Sequence, residues 1–159
     1  MSTPASIARH PIHPMLVAFP IGLWVFSVIA DLIFQLGSGA AVWKDVAYYT
    51  LGAGIVGALL AAGPGFIDFF TITDARTRQT AIAHMAANLV ALAIFGASFW
   101  LRWVKTVGFL PVGFSIAGLI LLGIAGWLGG ELVFIHNLGV TPPKQQGREP
   151  RTGSRRRAA

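Results

Sequence analysis

Long apolar runs broken by short polar segments set the pattern of this chain. The runs cover residues 15–36, 46–70, 81–101 and 109–134. Each is long enough to cross a ~30 Å hydrocarbon layer as a helix of about 20 residues. None shows the in–out alternation of a membrane barrel, so strands are not expected. The breaks, residues 37–45, 71–80 and 102–108, are short, which places successive helices side by side and antiparallel. The pattern predicts an all-α integral membrane protein: an up-down-up-down four-helix bundle over residues 1–143, then a disordered basic tail over residues 144–159.

Composition agrees with a bilayer setting. Hydrophobic residues make up 55% of the chain and charged ones 11%, against about 25% charged in soluble domains. The absence of cysteine excludes disulfides, thiolate zinc sites and cysteine-held iron–sulfur clusters. The opening "MSTPASIARHPIHP" is not read as a signal peptide, because the run behind it is too long and no small-residue cleavage site closes it.

Charge then sets an orientation. Arg9, Arg76, Arg78, Lys144, Arg148, Arg151, Arg155, Arg156 and Arg157 share one side of a four-span topology, and Lys44, Arg102 and Lys105 the other. Basic residues favour the cytoplasm, so both termini of this multi-pass protein are expected there. The tail, "PPKQQGREPRTGSRRRAA", lacks hydrophobic period. It is expected to be attracted to anionic lipid headgroups at ~1 kcal/mol per basic residue, or to act only as a topology signal. No folded basic surface accompanies it, so nucleic acid is not an expected partner.

The rare polar residues fall at informative depths. His10 and His13 precede the first run, Asp68 ends the second, His84 lies about one turn into the third, and Glu131 and His136 end the fourth. All sit at the cytoplasmic end; Asp31, near the other end, is the exception. Ionisable groups at such depths are expensive and are functional candidates, although a single histidine there also serves as a headgroup anchor or hydrogen-bonded core residue. The expectation is one pocket lined by the four imidazoles, with Asp68 and Glu131 at its wall and Asn88 orienting His84 from one turn away.

The motif His10-Pro11-Ile12-His13-Pro14 predicts an extended, polyproline-like arm with both imidazoles on one side and Pro14 opening the helix; a rigid helix entry is the plainer reading. Gly52–Gly65, Gly126-x-x-x-Gly130 and the Ala83, Ala87, Ala91 row read as close-packing faces. Pro64 predicts a kink before Asp68. Trp24, Trp43, Trp100, Trp103 and Trp127 read mostly as interface belts.

"HPIHPMLVAFPIGLWVFSVIADL" and "GWLGGELVFIHNLGV" together resemble a family of predicted bacterial four-helix inner-membrane proteins, a domain of unknown function, over roughly residues 10 to 140. The resemblance implies four membrane helices and no settled activity. Some relatives are joined to Rieske-type iron–sulfur domains, which implies electron transfer. One departure is His136-Asn137, where relatives often carry histidine followed by glycine, which puts the tight turn there in question.

Two functions follow. The first is a redox protein holding haem b or a transition-metal ion. For haem, His84 would pair with His13 or His136 across the ring, with Arg76 and Arg78 near the propionates. For a bare ion, His10, His13, His84, His136, Asp68 and Glu131 offer ligands. A redox partner or a homo-oligomer would accompany either. The second is a cofactor-free transport, proton-relay or complex-assembly protein whose histidines titrate near neutrality or contact a partner.

Overall fold

The structure, a computed structural model, is described for residues 3–8, 10–37, 39–105 and 108–140; the expected basic tail lies outside these residues. The order is β1 (Ser6–Ile7), β2 (His10–Pro11), α1 (Ile12–Leu16), α2 (Ala18–Leu36), α3 (Ala41–Phe69), α4 (Ala75–Trp103) and α5 (Leu110–Phe134). Four candidate membrane spans result, with α1 and α2 forming one.

The helices outrun the apolar runs where local chemistry supports them. Before α4, the carboxylate of Asp74 accepts from the Thr77 backbone N–H at 2.8 Å and from its hydroxyl at 2.8 Å. This cap extends the helix into the polar turn before the apolar run. The same bonds, the backbone one foremost, hold the Asp74 carboxyl below its ordinary range. At the α5 start, Pro111 occupies the first turn, where a missing N–H costs nothing.

The arm departs from expectation. His13 is helical, not extended, because α1 begins at Ile12. Pro14 therefore sits third in the helix, still among the N–H positions that have no intrahelical acceptor. The helical hydrogen bonding is interrupted at Val17, because Pro20 cannot donate to the Leu16 carbonyl. A minimal antiparallel pairing, Ser6 with Pro11 and Ile7 with His10, supplies two short strands where none was expected.

α2 packs along α3, and α4 along α5, and the two hairpins close the bundle through α3–α4 and α2–α5. The hairpins repeat one another. A shift of 71 residues carries His13 to His84, Trp24 to Phe95 and Ser27 to Ser98. In the second helix of each hairpin, a shift of 64 carries the buried set Ala47, Leu51, Gly54, Ala61 and Asp68 onto Pro111, Ser115, Gly118, Ala125 and Leu132, all buried too. Contacts repeat with the residues: Ser27 donates to the Ala47 carbonyl at 2.8 Å, and Ser98 to that of Pro111 at 2.7 Å. Equivalent residues also meet each other. The Trp24 and Phe95 rings stack at 4.0 Å, the His13 and His84 rings lie 6.2 Å apart, and Asp31 binds Arg102. Such self-matching contacts mark a two-fold axis. Since α2 and α4 run the same way, it runs along the bundle.

This axis corrects two packing expectations. Trp24 is not in a belt but 3% exposed in the core, where a Cβ on Gly54 would strike its indole. Trp100, Trp103 and Trp127 do face outward. Gly126 meets no close neighbour, and Gly130 only Phe134 of its own helix; the tight approaches in α5 belong to Gly118 and Gly129. A Cβ at Gly118 would lie 2.8 Å from Phe95 Cζ. Gly118→Val should therefore cost roughly 1–3 kcal/mol in unfolding from detergent, while Gly126→Ala should be close to neutral.

Candidate functional site

His13 and His84 are the histidines brought onto the axis. In the first hairpin, the His13 Nδ1 lies 2.8 Å from the Ala61 carbonyl. In the second, the His84 Nδ1 lies 2.8 Å from that of Ala125. A carbonyl only accepts, so Nδ1 carries the proton in both rings, and Nε2 of the neutral ring keeps its lone pair. Glycine makes each approach possible. A Cβ on Gly65 would sit 2.8 Å from His13 Nδ1, and one on Gly129 3.0 Å from His84 Cε1. Each of these glycines lies one turn after the carbonyl that its histidine binds, so the missing side chain opens the helix groove to the ring. The two imidazole planes cross at 90°.

Asn88 does contact His84: its Nδ2 donates to the His84 backbone carbonyl at 2.8 Å and stands 3.2 Å from Nε2. The other sequence-predicted residues lie elsewhere. His136 docks the segment after α5 onto the start of α4. Thr77 Oγ1 donates to Asp74, so His136 Nδ1 donates to Thr77 Oγ1 at 3.1 Å, while the Thr80 hydroxyl is 3.4 Å from Nε2. Glu131 stands 3.7 Å from the same nitrogen. His10 is exposed and bonds the Ala8 carbonyl in its own turn. Asp68 is buried and accepts from the Ala5 N–H at 3.0 Å, pinning the arm over this end of the bundle. Arg76 and Arg78 are exposed on the first turn of α4, with the Arg78 guanidinium 5.5 Å from the Phe69 ring centre. The four imidazoles thus form an axial pair, a docking residue and a surface residue. Among the described residues, no group of three or more His, Asp or Glu is placed to hold one ion.

The turn after His136 is built with Asn137 at φ 53°. Asparagine tolerates this left-handed region better than most residues, so the turn forms with Asn137 in place.

Sequence reading missed the ion pair at the opposite end. Arg102 donates to both Asp31 oxygens, Nη1 at 2.6 Å and Nη2 at 2.7 Å, and Nη2 also reaches Ser98 and Ser115. Positions 31 and 102 differ by the same shift as His13 and His84, so a search for the repeat would have paired them.

Comparison with known families places residues 9–142 within the model of a predicted membrane protein family, DUF2231. No curated protein and no solved structure matches the chain.

Proposed function

The chain belongs to the DUF2231 family of predicted membrane proteins, and we propose that it is a redox protein whose His13 and His84 hold one metal centre on the axis, haem b or a transition-metal ion. The observation that carries this reading is the matched pair of Nδ1-to-carbonyl bonds. Metal-bound histidines commonly donate their second ring N–H in this way, which fixes the ring and leaves Nε2 to the metal.

Two imidazoles are a donor set that would suit haem better than a bare ion, and His13 and His84 would hold it. A ring separation of 6.2 Å suits nitrogens ~2 Å from a shared metal. Arg76 and Arg78 precede His84 by eight and six residues, about 9–12 Å along the helix, within reach of propionates. The bound metal would supply one-electron chemistry; the protein supplies two imidazoles, each fixed by its Nδ1-to-carbonyl bond.

The second reading is a cofactor-free proton relay or transporter. The Asn88 amide beside His84 Nε2 favours it, because that nitrogen already has a donor. Purification in mild detergent from cells supplied with iron and copper separates the two. One metal centre per chain, absent from His84→Ala, supports the redox reading; a colourless, metal-free, folded protein supports the relay.

In this reading the termini and the histidine pair face the cytoplasm, supported by the nine basic residues Arg9, Arg76, Arg78, Lys144, Arg148, Arg151, Arg155, Arg156 and Arg157 in the sequence against Lys44, Arg102 and Lys105. Reporters fused at the C-terminus and inserted between α2 and α3 should report opposite compartments. A shared compartment would contradict the four-span arrangement.

A further inference from the structure

At the end of the bundle away from the histidines lies a cavity of about 420 Å³, walled by the ends of all four long helices. We propose that it is a second binding site, separate from the axial pair, for a small oxyanion: a carboxylate or phosphate group entering from the side opposite the termini.

Charge comes first. Arg102, Lys44 and Lys105 line the cavity with Asp31 and Asp45. Both Asp31 oxygens are engaged by Arg102, so Asp31 is already neutralised. That leaves Lys44 and Lys105 facing Asp45, a net positive charge around the opening.

Donors come second. The Arg102 side chain is 10% exposed, and its Nε is a buried donor without a hydrogen-bond partner among the described residues. Buried donors are almost always satisfied, and Arg102 lines the cavity, so a ligand oxygen drawn against this wall would give its Nε–H an acceptor. The remaining guanidinium nitrogens are held by Asp31, Ser98 and Ser115, which aims the group before any ligand arrives.

Backbone comes third. Lys105 follows α4 at φ 59°, the position after a helix where glycine is the unstrained choice. Lysine there keeps an ammonium at the opening despite the conformational cost. Tyr48, stacked on Phe99 at 4.7 Å, gives the cavity an aromatic wall, and the volume lies in the range of small-molecule sites.

The test uses the full chain in neutral detergent. Thermal unfolding is followed while inorganic phosphate or benzoate is titrated against chloride at fixed ionic strength. A saturable rise in unfolding temperature is expected, at least ~10-fold weaker in Lys44→Gln/Lys105→Gln and unchanged in His13→Ala. Both lysines are exposed, so the double variant should fold; Arg102 is left alone because its loss breaks the ion pair. In nanodiscs without added anion, phosphatidylglycerol in place of phosphatidylcholine tests a lipid phosphate as the source. A lysine-dependent response in either arm sustains the site, the arm identifying free anion or headgroup. No saturable response in both arms, or one indifferent to the two lysines, overturns it.

Discussion

Arg102→Met should destabilise the bundle by about 3–5 kcal/mol, the usual cost of stripping one partner from a buried ion pair. Asp31 has a side chain only 4% exposed, and removal of Arg102 strands its carboxylate among apolar helices. Asp31→Leu should cost a similar amount by stranding the guanidinium. The double variant Asp31→Leu/Arg102→Met should recover most of the loss, because an apolar pair needs no desolvation offset. The two positions are equivalent about the axis, so exchanging the charges, Asp31→Arg/Arg102→Asp, should also recover part of it. Unfolding in detergent, read as a double-mutant cycle, measures all four. Single variants within about 1 kcal/mol of the parent would mean that the pair is solvated and does not clasp the hairpins.

Gly65→Val and Gly129→Val should each abolish metal binding although neither touches a ligand atom of the proposed centre. The added Cβ would lie 2.8 Å from His13 Nδ1 in the first case and 3.0 Å from His84 Cε1 in the second. The Cβ alone forces the His13 ring to shift and the His84 ring to give by a few tenths of an ångström, and the two γ-methyls of valine push each ring further from the Ala61 or Ala125 carbonyl. With Nδ1 unbonded, the imidazole loses its fixed tautomer and direction, a loss that for outer-shell partners alone costs about 10–100-fold in affinity; ring displacement adds to that. Gly63→Val, facing open space in the same helix, is the control and should bind as the parent does. Metal content of the purified variants, with unfolding temperature alongside, distinguishes a displaced ligand from a collapsed fold.

The four spans were legible because burial in lipid demands unbroken apolar length, and no other element satisfies the backbone there. Their ends were less so. The turn from Ala75 to Thr80 is polar and becomes helical because Asp74 caps it. Depth was legible for the histidines, direction was not. His84 and His136 both belong to the arm end, yet one faces the axis and the other the Thr77 hydroxyl, a difference set by which helix face packs inward. Trp24 stands at the middle of its span, too deep for a belt; Gly54, opposite it, is the small residue that admits the indole. The repeat was present in the sequence but thin. It survives as identity at His13/His84, Ser27/Ser98, Gly54/Gly118, Ala61/Ala125 and Gly65/Gly129, positions where the two hairpins make matching close contacts, while lipid-facing positions only stay apolar.

A metal centre on the axis must depend on its two histidines alike, since each hairpin contributes one by the same carbonyl-and-glycine device. The direct measurement is metal and haem content per chain, with the visible absorption spectrum, for the parent, His13→Ala, His84→Ala, His10→Ala and His136→Ala purified side by side. The expected result is one centre per chain in the parent, His10→Ala and His136→Ala, and none in either His13→Ala or His84→Ala. A centre that survives loss of His13 or His84, or one that vanishes with His136 or His10, would contradict the axial site.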